Sequence, residues 1–172
     1  MTVQVFNASE NELPKYETLY SAGMDVRADL SRVKDISDIK IFGGGQLLLA
    51  SDTASKIDSI LLEPNSRVLI PTGLFLGIPN GYEIQVRPRS GLALKQGITV
   101  LNTPGTIDSD YTNEVGVILI NNSNQTVVIE NGERIAQLVM NKVEQFDWQE
   151  VQSKTDLKKT DRKGGFGSTG TK

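Results

Sequence analysis

The sequence predicts an all-β sandwich or barrel with one short helix, a small inserted subdomain and a flexible C-terminal arm. Three observations predict it. Most apolar runs are short and β-branched. Gly, Pro or Asn bounds them. One run, residues 82–87, alternates strictly, with Tyr82, Ile84 and Val86 on one face. Many short strands divided by closely spaced turn signals are the pattern of a sandwich or barrel.

The elements follow in order. Residues 2–6 alternate and predict a first strand. Residues 67–78 read as two short strands around Pro71-Thr72-Gly73, because proline removes a ladder donor. Strands are expected at 82–87, 98–101, 115–120, 126–129 and 135–143. Turn signals stand between them at Pro79-Asn80-Gly81, Thr103-Pro104-Gly105 and Asn121 to Asn124. Asn131-Gly132 is a hairpin-type signal. Residues 92–96, after Ser90-Gly91, predict a helical turn. The odd region is 31–61. Its apolar positions 47, 50, 54, 57 and 61 have roughly helical spacing, so an inserted subdomain with a helix is expected there.

The domain reading is a β-domain over 1–148, interrupted at about 31–61, then an arm over 149–172. The chain carries 18 basic and 21 acidic residues, a net charge of −3. Six basic and three acidic residues fall in 149–172, so the arm is +3 and the body −6. Gly164-Gly165-Phe166-Gly167-Ser168-Thr169-Gly170 is too Gly-rich for a regular element. Such a tail either frays or orders around an anion, since successive backbone N–H groups form phosphate nests.

The chain has no Cys and no His. Disulfides, thiol nucleophiles, thiolate zinc sites and His-dependent triads are thereby excluded. A general base must be Asp, Glu, Lys or Tyr. A metal must be held by oxygen, which favours Mg²⁺, Ca²⁺ or Mn²⁺. Near-neutral charge gives no global pull to nucleic acid or membrane. Runs such as 115–120 are far too short to span a bilayer. Residues 1–10 lack the basic and apolar regions of a signal peptide, so a soluble, cytoplasmic protein is expected.

Four internal clusters carry candidate chemistry. Asp25, in Ala22-Gly23-Met24-Asp25, is either a turn residue or a ligand of a hydrated cation. Arg89 and Ser90, in Arg87-Pro88-Arg89-Ser90-Gly91, either cap a helix or meet a phosphate. Asp108 and Asp110, in Gly105-Thr106-Ile107-Asp108-Ser109-Asp110-Tyr111, share a face if that segment is extended. They are either turn carboxylates or a base and cation site. Gln137, in Gly132-Glu133-Arg134-Ile135-Ala136-Gln137-Leu138, is polar in an apolar run and needs a partner.

Together these segments resemble a family. Ala22-Gly23-Met24-Asp25, Pro88-Arg89-Ser90-Gly91-Leu92, Asn102 with Gly105 through Tyr111, Gly132 through Leu138, and Gly164 through Gly170 resemble, in order, the five motifs of the trimeric deoxyuridine triphosphatases (dUTPases). The resemblance implies a homotrimer of jelly-roll subunits with active sites at subunit interfaces. It implies Mg²⁺-dependent hydrolysis of dUTP to dUMP and pyrophosphate, which supplies dUMP and keeps uracil out of DNA. By resemblance Asp108 activates the water that attacks the α-phosphorus. Tyr111 lies under the deoxyribose. Asn102, Gly105 and Ile107 read the uracil. Arg89, Ser90, Gly91 and Gln137 hold phosphates. Asp25 and Gln137 hold Mg²⁺ through water. Phe166 stacks on the base, Gly167, Ser168 and Thr169 hold the γ-phosphate, and Arg162 is the arm arginine.

Three departures mark this chain. Arg162-Lys163-Gly164-Gly165-Phe166 is one residue shorter than the family's usual arm motif, which leaves the register of Arg162 open and Lys163 as a candidate to share its role. Thr112-Asn113 follow Tyr111 where the family usually has a polar residue and Gly. The insertion resembles those of phage-encoded dUTPases, particularly staphylococcal ones, and that likeness implies a second role, binding a pathogenicity-island repressor through 31–61. The alternative reading is therefore a nucleotide-gated regulatory protein in the host cytoplasm. A dCTP deaminase-related enzyme is more remote, given the closeness of residues 88–91 and 107–111 to the dUTPase pattern.

Overall fold

The computed structural model describes residues 1–49 and 57–161. Twelve strands and one α-helix are present among them. The strands are β1 Gln4–Asn7, β2 Met24–Arg27, β3 Ile41–Phe42, β4 Gly45–Leu49, β5 Ile57–Leu62, β6 Arg67–Gly77, β7 Tyr82–Arg87, β8 Ile98–Val100, β9 Gly105–Ile107, β10 Glu114–Asn121, β11 Val127–Glu130 and β12 Arg134–Lys142. The helix, α1, is Ser90–Gln96. The fold is a jelly roll. One sheet runs β1-β6-β10-β8 with β3 also on β6, a second runs β11-β5-β4, and the third runs β2-β12-β7-β9.

Alternation builds the core. On β10, Val115, Val117 and Leu119 are buried, and the residues between them are half-buried. Ile60, Leu62, Ile70 and Ile129 join them at full burial. Each such side chain contributes roughly 1.5–3 kcal/mol of apolar burial. Among the described residues no helix is long and apolar enough to cross a membrane.

Three expectations are corrected. Residues 67–78 do not form two strands. They form the single strand β6, with three residues (Thr72, Gly73, Leu74) opposite only Val115 of β10. A bulge is where a sheet tolerates proline, and Pro71 stands at its edge. Gly73 adopts φ +72°, and a Cβ there would lie 2.6 Å from the Ser9 Cβ. The expected helix in 31–61 is also absent from the described residues. Residues 45–49 and 57–62 are the antiparallel pair β4–β5, and β5 pairs β11 within the core. A short turn of 3₁₀ helix, Ile36–Asp38, is the sole helical piece described there. Finally, Asn131-Gly132 does turn the chain, but β11 and β12 enter different sheets, so it is no hairpin. The turn pairs instead with the end of β2's sheet, where Asn131 Oδ1 accepts the Leu30 N–H at 2.8 Å.

Candidate active site

The third sheet gathers the polar residues. Gln137 on β12 lies opposite Asp25 on β2 and Arg87 on β7, so all three share one face. One row further, Val86 lies opposite Gly105 on β9. The two ends of the candidate site are thus carried on neighbouring strands.

The first end is an ion-paired cluster. Asp25 Oδ1 lies 3.1 Å from Arg89 Nε, and Asp25 Oδ2 lies 3.3 Å from Arg134 Nη1. Arg89 Nη1 donates to the Arg134 carbonyl at 2.9 Å. Arg89 therefore leaves its Nη2 donors for an anion. Gln137 Nε2 donates to the Pro88 carbonyl at 2.8 Å and so holds the segment entering α1. A Cβ on Gly23 would lie 2.9 Å from Gln137 Oε1, which explains the Gly at that position. Arg89 occupies the N-cap position of α1 without a side-chain cap, since a guanidinium has no acceptor for a helix N–H, and its side chain pairs with Asp25 instead. Ser90 begins the helix rather than capping it, and Gly91 faces open space.

The second end is a pocket of about 300 Å³ lined by Val86, Asn102, Gly105, Ile107, Tyr111 and Glu114, among others. Its rim turns at a cis Thr103–Pro104 peptide. Gly105 and Ile107 are buried, while Asn102, Asp108 and Tyr111 are exposed. The Tyr111 hydroxyl donates to the Glu114 carbonyl at 2.9 Å. The Tyr111 N–H donates to the Asp108 carbonyl at 3.1 Å, so residues 108–111 form a turn. The expectation that Asp108 and Asp110 share a face of an extended segment is thereby corrected.

Among the described residues no group of three His, Cys, Asp or Glu side chains can hold a metal ion. A cation held by protein ligands alone does not fit these residues. A hydrated Mg²⁺ shared between one carboxylate, Asp25, and a bound polyphosphate does fit, because Mg²⁺ keeps several of its waters. Among the described residues the two ends make no hydrogen bond or ion pair with each other. Arg162, Phe166, Gly167, Ser168 and Thr169 lie outside the described residues. Arg134 and Glu114 are the participants not singled out as candidates from sequence. Arg134 had a signal, a cation directly before the apolar run that holds Gln137. Glu114 had none.

The family model for dUTPase matches residues 52–170. The chain belongs to the dUTPase family. A deoxyuridine 5'-triphosphate nucleotidohydrolase from Fusobacterium nucleatum is 48% identical over 98% of this chain and 96% of its own length. One from Finegoldia magna is 43% identical over 99% of each chain. Each of these bacterial relatives matches nearly the whole chain. Among solved structures, a mutant of the dUTPase of Staphylococcus bacteriophage 80alpha with dUpNHpp has a TM-score of 0.71 at 22% identity, over 98% of each chain. A mutant dUTPase from phage phi11 of S. aureus, described for its coordination of a structural Mg(II) ion, has a TM-score of 0.67 at 20% identity. It covers 89% of this chain and 98% of the phage protein. The phage structures share the dUTPase fold with this chain.

Proposed function

We propose that the chain hydrolyses dUTP to dUMP and pyrophosphate in the cytoplasm, by in-line attack of water on the α-phosphorus. The observation that carries the reading is that the third sheet supplies both halves such a site needs, a nucleobase-sized pocket and an Arg-lined anion cluster. Asn102 and the backbone of Gly105 and Ile107 meet the uracil edge. On this reading the segment 102–107 closes around the uracil edge and disfavours the 5-methyl group of thymine. The Tyr111 ring packs against the deoxyribose and excludes a 2′-hydroxyl.

Asp108 accepts the proton of the attacking water. It is exposed beside the pocket, and a chain without His has no imidazole to do the work. Arg89 neutralises phosphate charge, Ser90 and Gly91 offer N–H groups near the α–β bridge, and Gln137 fixes their segment through Pro88. When bound, Mg²⁺ supplies charge neutralisation of the triphosphate; Asp25 and Gln137 would hold it through water. The arm residues Phe166, Gly167, Ser168 and Thr169, with Arg162, close over the nucleotide and exclude water. In this reading the pocket of one copy meets the Asp25 cluster of another in a homotrimer.

Purified chain with dUTP and Mg²⁺ should release pyrophosphate, with dTTP and UTP as poor substrates. No turnover of dUTP overturns the reading.

A second role is favoured by one observation. Leu69 and Ile118 line both the nucleotide pocket and a smaller apolar pocket of about 240 Å³ shared with Lys40 and Phe42 of the 31–61 segment. Phe42 is exposed, with Arg67 4.9 Å above its ring. A pathogenicity-island repressor docked on this segment would sense the occupied pocket. Titration of such a repressor with and without dUpNHpp tests this; equal affinity in both overturns the nucleotide gating.

A further inference from the structure

We propose that Asp29, Arg32 and Glu114 form a positioning relay that sets the Tyr111 ring and thereby the preference for deoxyribose over ribose. This deepens the proposed function and rests on Tyr111 being the sugar wall.

The relay starts from a buried charge. Asp29 is 1% exposed. A carboxylate so buried needs partners, and it has them. Its Oδ1 accepts from Ser31 Oγ at 2.6 Å, and its Oδ2 accepts from Arg32 Nε at 2.6 Å. Arg32 then reaches across 82 positions of sequence, and its Nη2 donates to Glu114 Oε1. The same Glu114 oxygen accepts the Gly73 N–H at 2.7 Å. Gly73 sits in the β6 bulge, which interrupts the ladder towards β10. Thr72 Oγ1 satisfies the neighbouring Val115 carbonyl at 2.6 Å. The Glu114 side chain is therefore fixed from two sides, by a cation and by a bulge amide.

Glu114 is also where Tyr111 is tied. The Tyr111 hydroxyl donates to the Glu114 main-chain carbonyl at 2.9 Å, and both residues line the pocket. Tyr111 itself is 41% exposed, so packing alone does not hold its ring. The bond to the Glu114 carbonyl does, and that carbonyl belongs to the first residue of β10, beside the bulge, where the Glu114 side chain ties the strand end to Arg32 and Gly73. Burial works against the Arg32 charge, but its hydrogen bonds to Asp29 and Glu114 outweigh that and hold the guanidinium above its ordinary value. An arginine stays protonated at any working pH, so Arg32 is a fixed cation in this relay.

The test uses Arg32→Ala, which also takes the cation from the buried Asp29, and Glu114→Ala, which leaves the Asp29–Arg32 pair intact. Each should lower the ratio of kcat/KM for dUTP to that for UTP by about tenfold, the scale of one lost charged hydrogen bond. The loss should fall mainly on KM for dUTP. The double variant should be no worse than either single one, because both break one chain of contacts. Glu114→Gln keeps an acceptor for Gly73 and Arg32 and should recover most of the ratio. An unchanged ratio in Arg32→Ala and Glu114→Ala, with or without a drop in Tm, overturns the relay. A second readout does not need turnover. In ¹³C-tyrosine NMR, Arg32→Ala should move the Tyr111 ring signal, assigned by its loss in Tyr111→Phe, and leave Tyr16, Tyr20 and Tyr82 in place. A Tyr111 signal that stays put overturns the relay even in an active enzyme. Failure of the unmodified chain to hydrolyse dUTP sinks the sugar-wall reading and leaves the ring-positioning result standing.

Discussion

Asp108 carries the sharpest consequence of the missing imidazole. It follows β9 directly, its carbonyl accepts the Tyr111 N–H, and its carboxylate stays exposed. Asp108→Asn keeps the size of the side chain and removes the base. Turnover of dUTP should fall by roughly 10²–10⁴, the usual contribution of a positioned general base. Binding of dUpNHpp should change little, since the turn that holds Tyr111 uses the main chain of Asp108. Equilibrium titration beside steady-state kinetics checks this, and a parallel loss of binding would make Asp108 a ligand rather than a base. At this scale much of the site was legible. Asp25, Arg89 and Gln137 meet because their motifs sit on neighbouring strands, and their residue types announce charge. Glu114 was invisible because its partners, Arg32 and Gly73, are distant in sequence, and its contact with Tyr111 is made by a carbonyl that any residue possesses.

Among the elements, β5 shows where periodicity misleads. Leu47, Ile57 and Leu61 recur at helical spacing, yet Leu61 is only half-buried while Ile57, Ile60 and Leu62 are in the core. A short apolar run buried on both faces looks alike for strand and helix, and tertiary pairing with β11 decides it. Pro71 misled in the opposite direction: the β6 bulge absorbs it, so one strand reads as two. The placement of β5 has a measurable cost. Ile60→Ala should destabilise the fold by about 2–5 kcal/mol, as for other buried aliphatic truncations. Asp58→Ala, on the exposed side of the same strand, should stay within about 0.5 kcal/mol. Urea unfolding of both variants checks it. A small effect at Ile60 would return β5 to a dispensable insertion, whereas a large one confines any deletable part of 31–61 to positions before Ile57.

The whole molecule poses the question of where one active site ends. Each chain offers an Arg-lined cluster around Asp25 and a pocket lined by Ile107 and Tyr111, with Asp108 next in sequence to Ile107, and no hydrogen bond or ion pair among the described residues joins them. In a closed symmetric trimer every interface is equivalent, so a pocket from one copy facing the cluster of the next gives three identical composite sites. That arrangement predicts complementation. Asp108→Asn homotrimers have intact Asp25 clusters and no base. Asp25→Asn homotrimers have the base, but their Arg89 and Arg134 lose the carboxylate that aligns them. Each preparation alone should be nearly inactive. If the two are unfolded together at equal concentration and refolded, chains assort at random. About a quarter of the sites then combine an unmodified pocket from one chain with an unmodified cluster from another, and dUTP turnover should recover in that proportion. Mixing without unfolding should recover nothing until subunits exchange. If co-refolding restores no activity while an affinity tag on one variant co-purifies the other, both ends of the site belong to one chain, and the interface reading fails.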